Sequence, residues 1–287
     1  MMETSYQQWL SRNSKLFFSH NGDVAWKLYN HALVPATIKR VTLTLDLLDA
    51  KRILRESGAL FIRYSSEPKN HAGDWWYIYC DNYDPTLLSR NTRSKLSRGK
   101  RRCATRKMTI EELIETGYKV HKAAFTRYPG QSPLSKDIYT KSVESRKTGP
   151  FEVWGVWVAD DLAGYVICAL EDNEVFTEIT RLHPEYLKYY TTYALFDAIL
   201  THYVGALGKT VNNGNRSVYH KTNMQQFLLK LGYKKQPCSL TIHYSLLGKL
   251  AAFLSCHTHA LTRRFDNRFA SIINGLAKQE LIRRRSL

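Results

Sequence analysis

The stretch EITRLHPEYLKYYTT, residues 178–192, holds two acids, a guanidinium, an imidazole, an amine and three threonine hydroxyls. Glu178 and His183 are groups that can move a proton at neutral pH. The blander alternative for Glu178 is a solvated strand carboxylate or an ion pair with Arg181, and for His183 a plain loop histidine next to Pro184. A second stretch, NTRSKLSRGKRRCATRK (residues 91–107), carries eight Lys or Arg and no acid. It reads in three ways: a solvated basic helix, a surface through which Arg98, Arg101 and Arg102 meet a polyanion, or a helix that reads DNA. It has neither the exposed aromatics nor the reading element expected of a nucleic-acid grip, and DNA is not the expected partner. CHTH (residues 256–259) resembles a metal pair but lacks a second ligand cluster and sits in a helical pattern where adjacent side chains diverge, so no metal is expected. NRS (residues 215–217) fits a glycosylation sequon by chance.

The chain around these groups has 287 residues, enough for one large domain or two small ones. Forty-two Lys and Arg against 25 Asp and Glu give a net charge of +17. That field attracts nucleic acid, acidic membrane, phosphorylated cofactors or acidic glycans, or it simply keeps a basic protein soluble. Five scattered cysteines without a C-x-x-C spacing argue against a disulfide framework or a zinc site and suit a reducing compartment. The first residues lack the apolar core of a secretory signal, and no apolar run reaches membrane-spanning length. The expected location is cytoplasmic, at the membrane's inner face if the basic C-terminal segment meets acidic lipid.

Residues 1–36 are mixed and show no clear period. A strand or helix entry followed by a helix is expected over 41–57, and strands over 59–66 and 74–81, where aromatic and β-branched residues concentrate. Asp84-Pro85 marks a helix start, so one helix is expected from there to Cys103. A short strand follows. Thr109 and Glu112 have capping-box spacing and open a helix with Ile110, Leu113, Ile114, Tyr118, His121 and Phe125 on one face. Another helix spans 135–147. Three strands with tight turns at 159–161 and 171–173 come next, then a helix capped by Thr191 or Thr192. A strand over 208–214, an amphipathic helix ending at Gly232 and a closing strand complete an α/β unit with an antiparallel and a parallel half. Beyond Tyr244, apolar residues at 250, 254, 261, 265, 269, 272 and 276, with His257, recur in steps of three and four and predict a helix ended by Gly275 and the arginine cluster.

This element order over about residues 103–245 resembles the GNAT acyltransferase superfamily. NMQQFLLKLGYKK (residues 223–235) is similar to the family segment in which an Asn precedes a helix ending in Lys-x-Gly-aromatic. Residues 178–200 are similar to its strand, loop and cofactor-binding helix, and residues 88–108 resemble the opening of a transferase half in the FemAB-like branch. The resemblance implies an α/β fold: a GNAT-like mixed sheet flanked by helices over 103–245, an N-terminal α/β extension or reduced transferase-like half over 1–102, and a C-terminal amphipathic helical segment over 246–287.

It also implies transfer of an acyl group from acetyl-CoA, another acyl-CoA or an aminoacyl-tRNA to an amine of an amino sugar, peptide or surface-polysaccharide precursor. Glu178 or His183 would take the amine's proton. A strand amide near Arg181, Leu182 and His183 would polarise the reacting carbonyl. Lys188, Tyr189, Tyr190, Thr191 and Thr192 would surround the donor's phosphates at a helix N-terminus, and Asn223 would contact the pantetheine arm. Two departures stand out. The loop contains no glycine, and Leu228 occupies the place of the family's proton-donating Tyr. A GNAT-like protein that binds RNA or another polyanion without catalysis is the alternative.

Overall fold

A computed structural model of the chain describes residues 4–68, 74–127, 131–217, 223–262 and 268–285. In chain order the elements are α1 (Ser5–Asn13), β1 (Leu16–Phe18), β2 (Ala25–Tyr29), β3 (Ala32–Pro35), α2 (Leu47–Ser57), β4 (Phe61–Ser66), β5 (Trp75–Cys80), α3 (Arg90–Arg102), β6 (Ala104–Met108), α4 (Ile110–Ala124), α5 (Lys136–Glu144), β7 (Phe151–Val158), β8 (Asp161–Glu171), β9 (Glu174–Leu182), α6 (Thr191–Leu200), β10 (Thr210–Asn215), α7 (Met224–Lys230), β11 (Lys234–Tyr244), α8 (Leu246–Thr262) and α9 (Arg268–Arg285).

Local chemistry sets most helix starts. Asp46 accepts hydrogen bonds from the amides of Leu48 and Asp49, and Gly58 closes α2 in the left-handed region. The capping box of Thr109 and Glu112 forms as expected at the start of α4. The expected single helix from Pro85 does not form. Asp84 caps only a short 3-10 turn at Pro85–Leu87, Leu88 is extended, and Ser89 then caps α3 through the Thr92 amide.

The chain forms two units. The first contains residues 1–77, 215–222 and 235–287, the second 78–214 and 223–234. The expected boundary at 102 falls at 77 instead, because α3 packs on α6 of the second unit, and β11 joins the C-terminal helices in the first. In the first unit β1, β2 and β3 form an antiparallel meander, β3 runs parallel to β4, and β4 pairs antiparallel with β11. Trp26, Leu33, Ile53, Ile62 and Tyr64 pack beneath α2, and Phe61, Trp75, Cys238 and Leu240 form a second cluster.

In the second unit β6, β7, β8 and β9 are antiparallel and β9 runs parallel to β10, the two halves expected from the sequence. β6 pairs with β7 alone and forms the edge. Helices α4 and α5 cover one face of this sheet around Leu113, Val120, Tyr139, Tyr165 and Ile167. The two-residue turns after β7 and β8 place Ala159 and Asp172 at positive φ.

 Ala159 has φ +51° and Asp172 φ +50°, the backbone that such tight connections between twisted strands require.

The C-terminal segment departs from the expected helix. Helices α8 and α9 are described on either side of residues 263–267, and Gly275 lies within α9 rather than at its end. Leu250 and Leu254 point outward rather than into the core, and Ile272 is also exposed. Leu276 packs on the first unit's second cluster. The side chains of Leu261, Phe265 and Phe269 lie outside the described residues. Among the described residues no helix is long and apolar enough to cross a membrane.

Candidate active site

The site begins where two parallel strands part. β10 and β9 share three registered pairs, ending at Asn212 with Phe176. Beyond them the ladder gives way to side-chain bonds: Thr177 Oγ1 donates to the Asn212 carbonyl at 3.2 Å, and Asn213 Nδ2 donates to Thr177 Oγ1 at 2.7 Å. Gly214 then takes φ +75°, a turn for which glycine is the natural residue. β9 continues along β8 to Leu182. Its register slips at Glu178, the extra residue of a β-bulge, because Ile167 faces Ile179 while Cys168 faces Thr177.

The far end of β9 is chemically unusual. Thr180 Oγ1, Arg181 Nε and His183 Nδ1 are buried, and none has a hydrogen-bond partner among the described residues. Unmet buried polar atoms are costly, but alternate residues of a strand face opposite sides: Arg181 lies on the α4 side with Tyr165, and Thr180 on the other, so the two do not meet one group. Arg181 lies with its guanidinium 5.2 Å from the Phe125 ring and donates from Nη1 to the Thr180 carbonyl at 3.0 Å. Leu182 pairs with Gly164.

Glu178 is engaged otherwise. Its Oε2 accepts from Arg146 Nε at 3.2 Å and Nη2 at 3.1 Å, with 17% and 8% of the two side chains exposed. The ion-pair alternative raised from the sequence is therefore realised, with Arg146 as partner instead of Arg181. Arg146 was missed because it lies 32 positions away and no local pattern links the two.

His121 lies in the same layer, packed among the rings of Tyr118, Phe125 and Tyr139. Its Nε2 accepts from the Leu134 amide at 3.1 Å, which requires a neutral ring with the proton on Nδ1. Burial, with a smaller contribution from Arg181, lowers its pKa from 6.5 to about 4. The unfolded chain therefore binds this proton more readily than the folded one. Stability from this group is full above pH 6.5 and is lost as pH falls through the window down to about 4. The loss amounts to about 3 kcal/mol. Denaturant melts at a series of pH values should show it, and His121→Leu should flatten that part of the profile.

After β9 the chain coils through a 3-10 turn, Pro184–Tyr189, and Tyr190 takes φ +62° to enter α6. Thr191 and Thr192 therefore do not cap the helix as expected. The coil makes Tyr190 the entry residue, and its side chain makes no capping bond. Thr191 is buried in the first turn with its hydroxyl on the Tyr186 carbonyl at 3.5 Å, and Thr192 is half-buried. The amides of Tyr193 and Ala194 bond to the Tyr190 carbonyl, and those of Thr191 and Thr192 lie at the helix's positive end. Lys188 lies 5.3 Å from the Tyr189 ring centre.

The basic stretch packs beside this entry. Thr92, Leu96 and Gly99 are the buried face of α3. A Cβ on Gly99 would sit 2.9 Å from the Tyr190 carbonyl oxygen and 3.3 Å from Ala194, so glycine permits the contact between α3 and α6. Lys100 pairs at 2.7 Å with Asp197, which is buried and also accepts from the Tyr83 hydroxyl at 2.6 Å. Arg98 reaches the Tyr190 hydroxyl at 3.2 Å. Arg101 and Arg102 are exposed. The structure thus brings Arg98, Lys188, Tyr189, Tyr190, Thr191 and Thr192 to one helix entry, with Arg181, Leu182 and His183 on the strand that leads to it. Asn223 precedes α7 and is exposed, and its side chain makes no capping bond. Leu228 is fully buried.

Among the described residues no group of three or more His, Cys, Asp and Glu could hold a metal. His257 bonds through Nδ1 to the Phe253 carbonyl, and Asn215 donates to Ser65 Oγ at 2.9 Å.

A strand that parts from its parallel neighbour at a bulge and then feeds a helix N-terminus can be compared with solved structures. A DUF2156 C-terminal domain from Agrobacterium fabrum superimposes with a TM-score of 0.56 at 13% identity, over 88% of this chain and 91% of that one. L-PGS from Bacillus licheniformis gives 0.54 at 13% identity, over 91% and 96%. FemX gives 0.55 at 9% identity, over 88% and 93%. The fold is GNAT-like. It includes the form found in the FemAB-like branch, and the likeness spans both units. No family model matches the sequence, and no curated protein does.

Proposed function

We propose that the protein is an acyltransferase that moves an acyl group from an activated donor to an amine of an amino sugar, a peptide or a surface-polysaccharide precursor. The observation that carries this reading is the arrangement in which β9 runs on past its parting from β10 and leads through the Pro184–Tyr189 turn into the α6 entry, with Arg98 against Tyr190 there. A carbonyl held along this strand meets backbone and side-chain donors, and a phosphate at the α6 entry meets the helix's positive end with Arg98 and Lys188 nearby.

The donor favoured is an aminoacyl-tRNA, with an acyl-CoA as the other form of the same chemistry. Tyr189 and Tyr190 replace the small residues that let a loop wrap closely on a pyrophosphate. Arg98, Arg101 and Arg102 give α3 an exposed basic side suited to a longer polyanion. His183 is the better candidate to take the amine's proton, because Glu178 is held by Arg146. The name of L-PGS and the relation to FemX support an aminoacyl or acyl transfer without fixing the acceptor.

The test is transfer from radiolabelled aminoacyl-tRNA and from acetyl-CoA to a panel of amino sugars, peptides and lipid-linked precursors. His183→Ala should lower turnover by about 100-fold or more while leaving the thermal melt in place. Charge reversal at Arg98, Arg101 and Arg102 should raise the apparent Kd for tRNA and reduce its salt dependence. Strong, salt-sensitive RNA binding with no turnover for any acceptor would favour the non-catalytic alternative.

A further inference from the structure

The first unit carries a helix whose polarity is reversed. The packed face of α8 is built from small residues, with Gly248, Ala252 and Ser255 buried. At Gly248 a Cβ would lie 1.9 Å from the Leu60 carbonyl oxygen, so the helix backbone rests directly on its neighbour. The opposite side carries Leu246, Leu247, Leu250, Phe253 and Leu254, each half or more exposed. At about 100° per residue these five form one arc roughly 120° wide. His257 is its polar member, its ring centre 4.1 Å from that of Phe253 and tilted against it. A helix on a water-facing surface has the reverse arrangement, with apolar residues inward. The patch extends past the helix start. The Leu60 carbonyl accepts from the Ser245 amide, and the Leu60 amide donates to the His31 carbonyl, so the turn between β2 and β3 adjoins α8. The strand entering that turn ends in Leu28 and Tyr29, both half exposed.

An apolar face of this size marks a contact site, and the surrounding charge selects the occupant. From Leu246 to Leu287 the sequence holds eight Lys or Arg and two acids. Lys249 is exposed at the flank of the arc; Arg284 and Arg285, exposed at the end of α9, pair with Glu280 and Asp74. A second copy of the chain would bring the same positive charge to the interface. A surface of anionic lipid accepts the apolar arc and neutralises the charge together.

We propose that the outer face of α8 lies in the interfacial layer of an anionic membrane, parallel to its plane. Leu250 and Phe253 are at the centre of the buried arc, and Lys249 lies at the headgroups. This assignment is independent of the transfer chemistry.

The test is co-sedimentation of the full chain with vesicles of equal parts phosphatidylglycerol and phosphatidylcholine, against phosphatidylcholine alone. Binding to the anionic vesicles, weakened by salt, is expected. The double variant Leu250→Ser, Phe253→Ser should bind about tenfold less tightly or worse, and Lys249→Glu about fivefold less. Because these side chains face outward, both variants should keep the wild-type melt. A Leu254→Trp reporter should shift its emission to the blue on anionic vesicles. Unchanged binding by the double variant, or no binding by the wild type, overturns the proposal. So does a wild-type dimer in light scattering that the double variant converts to monomer, because the face would then join two copies.

Discussion

Replacing Arg146 with alanine is expected to destabilise the second unit by about 3–5 kcal/mol. Both members of its pair with Glu178 are largely buried, and the guanidinium also donates to the Ser142 carbonyl and lies 5.4 Å from the Phe151 ring. Removing it strands a carboxylate at the bulge of β9 with no compensating donor. Removing both charges should cost much less, because a buried pair replaced by apolar groups of similar size leaves nothing unpaired. Urea melts of Arg146→Ala and of the double variant Arg146→Met, Glu178→Leu check this directly. A single variant as stable as the double one would mean that another cation or water reaches Glu178. The same pair bears on catalysis, since a carboxylate already fixed by two N–H donors is poorly placed to accept a proton from an incoming amine.

The second large effect is expected at Gly248. Any side chain there meets the Leu60 backbone at 1.9 Å, and a backbone carbonyl cannot swing aside as a side-chain tip can. That carbonyl also accepts hydrogen bonds from the Ser245 amide and hydroxyl, so movement would break the link that starts α8. Gly248→Val should cost about 3 kcal/mol and detach the start of α8. Faster limited proteolysis between residues 246 and 262, together with a lower melting temperature, would show it. The apolar arc would remain on the helix, but the helix would no longer be held in place.

Sequence was most informative where the determinants lie close together. The capping box of α4 spans four residues, and the turns after β7 and β8 declare themselves in Ala159-Asp160 and Asp172-Asn173. The meander of β1 to β3 was hidden. Its central turn uses Asn30 and His31 at φ +47° and +63°, a conformation usually signalled by glycine. The C-terminal periodicity correctly indicated helix but suggested an inward apolar stripe. The structure turns Leu250 and Leu254 outward because Gly248 and Ala252 make the closer contact. At the candidate site the strand, the loop and the helix entry were legible from residues 178–192. The partners were not, since Arg146, Gly99 and Tyr83 reach it from other elements through packing that no local spacing encodes.

The basic stretch has one more consequence through β6, the edge of the second unit's sheet. A free edge is a template on which a strand from another molecule can add. Here the edge sequence is ATRKM, and its two cations are held close to the strand. Arg106 lies 4.3 Å from the Trp157 ring centre and pairs with Glu112, and Lys107 pairs with Glu152. An incoming strand would have to desolvate these charged pairs, which makes the edge a poor nucleus for fibre growth. Part of the run that reads as a grip for anions also keeps concentrated protein from assembling strand upon strand.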